Sequence, residues 1–276
     1  MVVSAVTVVL VVKPAGNETI KGRVVSSHGD YYHLISDGIE GEILARKKKS
    51  AFQSPEAMKP NTGDYVRFHY NKQGESMIYE VLPRFSVFER RDPTAKRKSQ
   101  VLAVNFDYLF IMMSLNENYS EARLERFLEL AKDMGRAKAV VVLTKSDLET
   151  GRSGTEVPVP GLETGEVEVI RMSNVTGEGL DKIREIARKG VTIALVGSSG
   201  VGKSSLVNSL AGEEWCATQE IQEWSGKGRH TTTSRELIVL PNGAMIEDTP
   251  GIREIGMVGE VDSELVKGAS THRFRV

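Results

Sequence analysis

An apolar run, Val191–Val196, breaks into Gly197-Ser198-Ser199-Gly200-Val201-Gly202-Lys203-Ser204 and resumes as a helical pattern over Lys203–Leu210. Nothing else in the chain restricts its fold as much. A buried strand that passes straight into a glycine loop and then a helix belongs to a layered α/β architecture. The glycines let the loop curve and turn several backbone N–H groups inward, and the helix N-terminus adds a positive dipole. Lys203 supplies a mobile positive charge, and the Ser204 hydroxyl is able to ligate Mg²⁺. Concentrated negative charge is what such a loop is built to hold, so Gly197, Ser198, Ser199, Gly200, Val201, Gly202, Lys203, Ser204 and Ser205 are the candidate phosphate contacts.

The surrounding chain keeps the same texture. Val101–Phe106, Tyr108–Met113, Ala139–Leu143 and Val167–Met172 are apolar runs of strand length, while Glu236–Leu240 and Ala244–Glu247 flank an Asn242-Gly243 hairpin turn. Ser120 is placed to cap a helix carrying Leu124, Phe127, Leu128, Ala131 and Met134 at helical spacing, and Leu180–Ala187 reads as another helix. Strands alternating with helices predict a mainly parallel sheet covered on both faces. Residues 149–166, rich in Gly, Pro, Thr and Glu, read as an exposed loop. Upstream, short strands separated by turns at His28-Gly29-Asp30 and Asp37-Gly38 predict a small β-barrel over 20–82. The expected layout is an N-terminal extension over 1–19, the barrel over 20–82, a basic, proline-containing linker over 83–99, the nucleotide domain over 100–258 and a C-terminal segment over 259–276. A chain of 276 residues, 40% of them hydrophobic, is long enough for two such cores.

A phosphate loop does not choose a base. Thr144-Lys145-Ser146-Asp147 follows a strand directly and resembles the guanine motif of G proteins, with Thr144 where Asn is usual. The Asp147 carboxylate is suited to accept from guanine N1–H and its exocyclic amine, whereas adenine offers an acceptor there and no amine. The Lys145 stem is able to cover the base, and Thr144 braces the loop more weakly than Asn would. Ser173-Asn174-Val175, also after a strand, resembles the element whose backbone amide meets guanine O6. Together they favour guanine over adenine. Glu247-Asp248-Thr249-Pro250-Gly251 resembles a DxxG element, in which Asp248 would hold Mg²⁺ through a water and the Gly251 amide would meet the γ-phosphate. Upstream, Gly226–Thr233 is basic and hydroxyl-rich; Thr232 is the preferred switch ligand for Mg²⁺, with Thr231 and Thr233 as alternatives. Ile252 stands where many G proteins place a water-orienting Gln, so intrinsic turnover is expected to be slow. His230 is the candidate catalytic residue, with a solvent-exposed loop histidine as the alternative.

Charge and cysteine usage bound the rest. Formal net charge is −1, which excludes a uniformly basic polyanion-binding molecule. From Thr19 to Lys98, however, there are 15 basic and 10 acidic residues. The run Arg46-Lys47-Lys48-Lys49, near Tyr31, Tyr32 and Phe52, is a candidate RNA contact on the barrel. Cys216 is the single cysteine, which suits a reducing cytoplasm and leaves no cysteine framework for disulfides. The apolar stretch Met1–Val12 is too short to span a bilayer and lacks the basic start and cleavage pattern of a signal peptide. No membrane association is expected.

The order of the motifs is base, O6, phosphate loop, switch threonine, DxxG. A circular permutation of the G-protein order would leave the three-dimensional site intact. A barrel followed by these motifs, with Gly63-Asp64, Pro83-Arg84, Arg90-Arg91 and Asn105 before Asp107, resembles the RsgA/YjeQ family of ribosome small-subunit-dependent GTPases. The resemblance runs from Ile20 to Gly256. It implies an α/β P-loop GTPase domain, circularly permuted, with an N-terminal all-β OB-fold barrel. It also implies GTP and GDP as nucleotides, Mg²⁺ as cofactor, rRNA contact, and hydrolysis stimulated by the small ribosomal subunit late in its maturation. No cysteine follows Cys216, so the family's zinc domain is not expected here, and no zinc is expected with it. A cytoplasmic monomer is expected. A nucleotide-bound RNA-binding module with little turnover is the alternative.

Overall fold

The structure is a computed structural model that describes residues 19–54, 57–90, 100–116, 118–148, 159, 167–212 and 235–248. The chain divides into two compact units, Met1–Arg84 and Phe85–Val276.

In the first unit, alternation of inward and outward residues yields β1 (Ile20–His28), β2 (Tyr31–Ser36), β3 (Ile39–Lys47), β4 (Tyr65–His69) and β5 (Ser76–Val81). They lie in the order β1-β2-β3-β5-β4, and β1 also pairs with β4, so the sheet closes on itself. Only the β3–β5 pairing is parallel. This is the five-stranded barrel of an OB-fold. Val24, Leu34, Ala45, Val66, Phe68 and Ile78 fill it. Gly22 lets β1 approach β4 closely, since a Cβ there would lie 2.7 Å from the Phe68 ring. Below the β1–β4 seam, the fully buried Asp64 carboxylate accepts from Arg84 Nε at 2.8 Å and Nη2 at 2.7 Å, and from the Asn61 N–H at 2.8 Å.

The second unit holds β6 (Val87–Arg90), β7 (Gln100–Val104), β8 (Tyr108–Ser114), α1 (Glu121–Ala131), β9 (Lys138–Thr144), β10 (Glu168–Arg171), α2 (Leu180–Ile186), β11 (Thr192–Gly197), α3 (Lys203–Ala211), β12 (Glu236–Val239) and β13 (Met245–Asp248). Its main sheet runs β10-β9-β8-β11-β13-β12. The pairings from β10 to β13 are parallel, and β12 joins β13 antiparallel through the predicted hairpin. Successive residues of the central strands enter opposite layers. Leu109, Ile111 and Met113 of β8 join α1 residues Leu124 and Phe127. Phe110 and Met112 face Ile183 of α2 and Leu206 of α3. Burial on both faces explains why these strands read as continuous apolar runs. Ser120 caps α1 as expected, its Oγ accepting from the Arg123 N–H at 3.3 Å.

Two sequence expectations change. Val87–Arg90, within the expected linker, is a strand paired antiparallel with β7, because the fully buried Phe88 anchors it to the α1 layer. Val159, within the expected exposed loop, is buried in that same layer. Among the described residues, no helix is long and apolar enough to cross a membrane.

Candidate functional site

The carboxyl ends of β8, β9, β10 and β11 lie side by side, and the sequence attaches its chemistry there. Ligands of open α/β sheets bind at this edge. β11 ends in Gly197, at φ 153°, where a Cβ would sit 2.6 Å from the Met112 carbonyl oxygen of neighbouring β8. Only glycine lets the chain turn off the sheet at that point. Gly200 and Gly202 take φ values of 70° and 104°, and the buried Val201 pins the loop to the core. Gly202 caps α3, whose first turn contains no acidic residue to offset its dipole. Lys203 Nζ turns back over the loop and donates to the carbonyls of Gly197 (2.8 Å) and Ser198 (2.9 Å). The ammonium is thus held above the cradle that its own backbone forms.

The two segments expected to read the base join this loop through hydrogen bonds. Buried Thr144, at the end of β9, donates from Oγ1 to the Val201 carbonyl at 2.6 Å. A hydroxyl has a single proton to donate, where an Asn amide has two. Lys145 then adopts φ 57°, which turns the chain into the short 3-10 helix Ser146–Leu148 and brings Asp147 to the surface. Ser173, fully buried after β10, accepts the N–H groups of Val175 (3.1 Å) and Thr176 (3.2 Å) and donates to Asp147 Oδ1 at 2.5 Å. Parallel pairing of β9 with β10 is what makes the two loops neighbours. Asn174 Oδ1 accepts from Ser209 Oγ of α3 at 2.9 Å. Val175 is 83% exposed. Residues 144–147, 173–175 and 197–205 therefore form one connected edge. Ser209 and Glu178, which accepts from Ser146 Oγ at 2.6 Å, carry no sequence signal, because a serine on a helix and a glutamate in a loop are ordinary surface residues.

Asp248 ends β13, and its backbone is level with Leu195 of β11, two residues before the phosphate loop. Ser204 follows Lys203 in the first turn of α3. A hydroxyl and a carboxylate are hard oxygen donors that suit Mg²⁺, which takes only one or two carboxylates besides substrate phosphates. Thr232, His230 and Gly251 lie outside the described residues.

On the barrel, Arg46 and Lys47 end β3, while Lys48 and Lys49 lead into a 3-10 turn. Arg46 lies over the Tyr31 ring at 4.1 Å and donates to its hydroxyl. Lys48 lies over Tyr79 at 4.4 Å, and His69 stacks on the same ring at 4.6 Å. Tyr32 is buried in the barrel core, and Phe52, half-buried, packs against it. Burial, reinforced by nearby Asp30, raises the Tyr32 phenol above its ordinary pKa.

Comparison with known proteins places this arrangement. Residues 81–258 match the family described as RsgA GTPase. The chain is 41% identical over 262 residues to the small ribosomal subunit biogenesis GTPase RsgA 2 of Lactiplantibacillus plantarum, covering 94% of itself and 74% of that protein. It is 40% identical over 238 residues to RsgA 1 of Listeria innocua, covering 86% of itself but 66% of the relative. Among solved structures, YjeQ from Thermotoga maritima superposes with a TM-score of 0.61 at 25% identity, over 84% of this chain and 74% of that one. The fold is also that of YloQ, a circularly permuted GTPase, with a TM-score of 0.58 at 19% identity over 94% of this chain and 83% of that one. A barrel, a permuted motif order and one connected nucleotide edge coincide with these matches, and the chain belongs to the RsgA GTPase family.

Proposed function

We propose that this chain is a Mg²⁺-dependent, guanine-specific GTPase that acts in late maturation of the small ribosomal subunit, in the cytoplasm, and contacts rRNA through its barrel. The observation that carries the reading is the bonded continuity of three loops, from Asp147 through Ser173 and from Thr144 to the Val201 carbonyl. Asp147 reads the base, Lys203 and the loop amides bind the β- and γ-phosphates, and the Ser173 hydroxyl orients the base-reading carboxylate. Ser204, Thr232 and Asp248 would hold Mg²⁺, which when bound would neutralise charge developing on the phosphate oxygens. Gly251 meets the γ-phosphate through its N–H, and His230 orients the attacking water. The relatives' names support the ribosomal assignment. The basic run Arg46–Lys49 at the end of β3 supports RNA contact through its phosphate-binding charge, with Tyr31 and Tyr79 beside it, although Arg46 also pairs with Glu75 at 3.3 Å.

The test is multiple-turnover phosphate release titrated with purified small subunits, beside competition of GDP and ADP for binding. Subunit-stimulated turnover with GDP preference is expected. Tight GDP binding with no release at any subunit concentration would instead favour the nucleotide-bound module with little turnover, the reading that Ile252 favours. His230→Ala is expected to cut turnover at least about a hundredfold, the size of a lost acid–base or water-orienting group, with GTP affinity unchanged. Unaltered turnover would remove His230 from the reaction.

A further inference from the structure

Asn174 carries a side chain to which the nucleotide reading above gives no role. It is half-buried, three residues past the end of β10, and its amide lies along α3. Oδ1 accepts from Ser209 Oγ at 2.9 Å, while Nδ2 is 3.9 Å from the point where a Cβ on Gly202 would stand. Gly202 and Ser209 are seven residues apart, on one face of the helix. The Ser209 bond therefore holds the acceptor end of the amide away from the phosphate loop, and the donor end faces the start of α3, where that loop closes.

The turn around Asn174 has its other donors committed. The Ser173 N–H donates to the Glu178 carbonyl, and those of Val175 and Thr176 donate to Ser173 Oγ. Thr144 spends its single hydroxyl proton on the Val201 carbonyl. The backbone N–H of Asn174 and its Nδ2 have no acceptor among the described residues. One residue thus offers two donors at the edge where the base-reading loop meets the phosphate loop. Guanine presents two adjacent acceptors, O6 and N7, on one side of the ring. A donor on each fixes the ring in its plane, so that O6 falls on the backbone N–H. Adenine, held in the same pose, would bring its amine against that N–H.

We propose that Asn174 is a specificity-determining residue that reads this side of guanine with two donors, its backbone N–H on O6 and its Nδ2 on N7. The proposal rests on the function reading above. The experiment measures affinity for GDP, ADP and 7-deaza-GDP, in which a C–H replaces N7, by calorimetric titration. It compares the unsubstituted chain with Asn174→Ala, which keeps the backbone N–H and removes the amide. A third chain, Asn174→Asp, keeps the size and the acceptor for Ser209 but loses the donor. Melting temperatures are recorded alongside. The unsubstituted chain should bind GDP about fivefold tighter than 7-deaza-GDP, the size of one neutral hydrogen bond. In Asn174→Ala that ratio should fall to about one. In Asn174→Asp it should fall below one, because a carboxylate oxygen would face the N7 lone pair. Equal affinities for GDP and 7-deaza-GDP in the unsubstituted chain would overturn the proposal. So would equal losses for both nucleotides in Asn174→Ala, the mark of a merely structural link to α3, or a preference for GDP kept by Asn174→Asp. An unsubstituted chain that binds ADP as well as GDP would instead sink the guanine reading itself, and this proposal with it.

Discussion

At the residue scale, the proposed reading of the base depends on what Ser173 does to Asp147. The carboxylate is exposed, and a carboxylate free to rotate in water would sample many orientations. Ser173 takes one oxygen and is itself fixed by two backbone N–H groups. That chain of bonds leaves the second oxygen oriented before any base arrives. Ser173→Ala is accordingly expected to weaken GDP binding about tenfold, at the low end of what a hydrogen bond to a charged group contributes, while ADP binding stays as it was. Equal effects on both nucleotides in a competition titration would refute this. The placement of Asp147 and Lys203 at the carboxyl edge of the sheet was legible in the sequence, because each motif directly follows an apolar strand. That of Tyr32 was not. Adjacent aromatics in a strand face opposite ways, so only one of Tyr31 and Tyr32 was ever available to solvent, and the register that decided it is set by the whole barrel.

At the element scale, the phosphate loop depends on a close approach of two strands. Gly197→Ala would force a Cβ to within 2.6 Å of a backbone oxygen on β8 and a residue with a side chain into φ 153°. The backbone strain alone is roughly 1–3 kcal/mol, and the loop has to shift to relieve the clash. Loss of measurable GTP binding with the sheet intact by circular dichroism is expected; wild-type affinity would show that the turn tolerates a side chain. In the barrel, the buried Asp64 is neutralised by Arg84, whose side chain is itself only 10% exposed. Arg84→Met leaves that carboxylate without its ion-pair partner, at a cost of about 3–5 kcal/mol, which chemical denaturation of the variant would measure. The strands of the second unit were legible because burial on both faces leaves long apolar runs. β6 was not, since its four residues include two charged ones and its pairing partner lies across residues 91–99. Local pattern carries no trace of a partner brought in from elsewhere in the chain.

At the scale of the whole molecule, a net charge near zero covers two units of different chemistry. The second unit carries the proposed nucleotide edge, and the first presents Arg46 and Lys48 over aromatic rings. Two physical contributions to RNA affinity should therefore separate experimentally. Phosphate contacts release counterions, so affinity falls with salt in proportion to their number, whereas stacking on a ring is nearly indifferent to salt. Lys47→Gln combined with Lys48→Gln removes two positive charges. The double variant is expected to reduce the steepness of log affinity against log salt by about 1.4, since each phosphate of a single strand that a lysine neutralises adds about 0.7 to it. Tyr79→Ala is expected to lower affinity at every salt concentration with the slope nearly unchanged. Fluorescence anisotropy with a single-stranded fragment of small-subunit rRNA over a salt series measures both. An unchanged slope in the lysine variant would mean that the basic run is a solvated surface, and the barrel would then need another face for RNA.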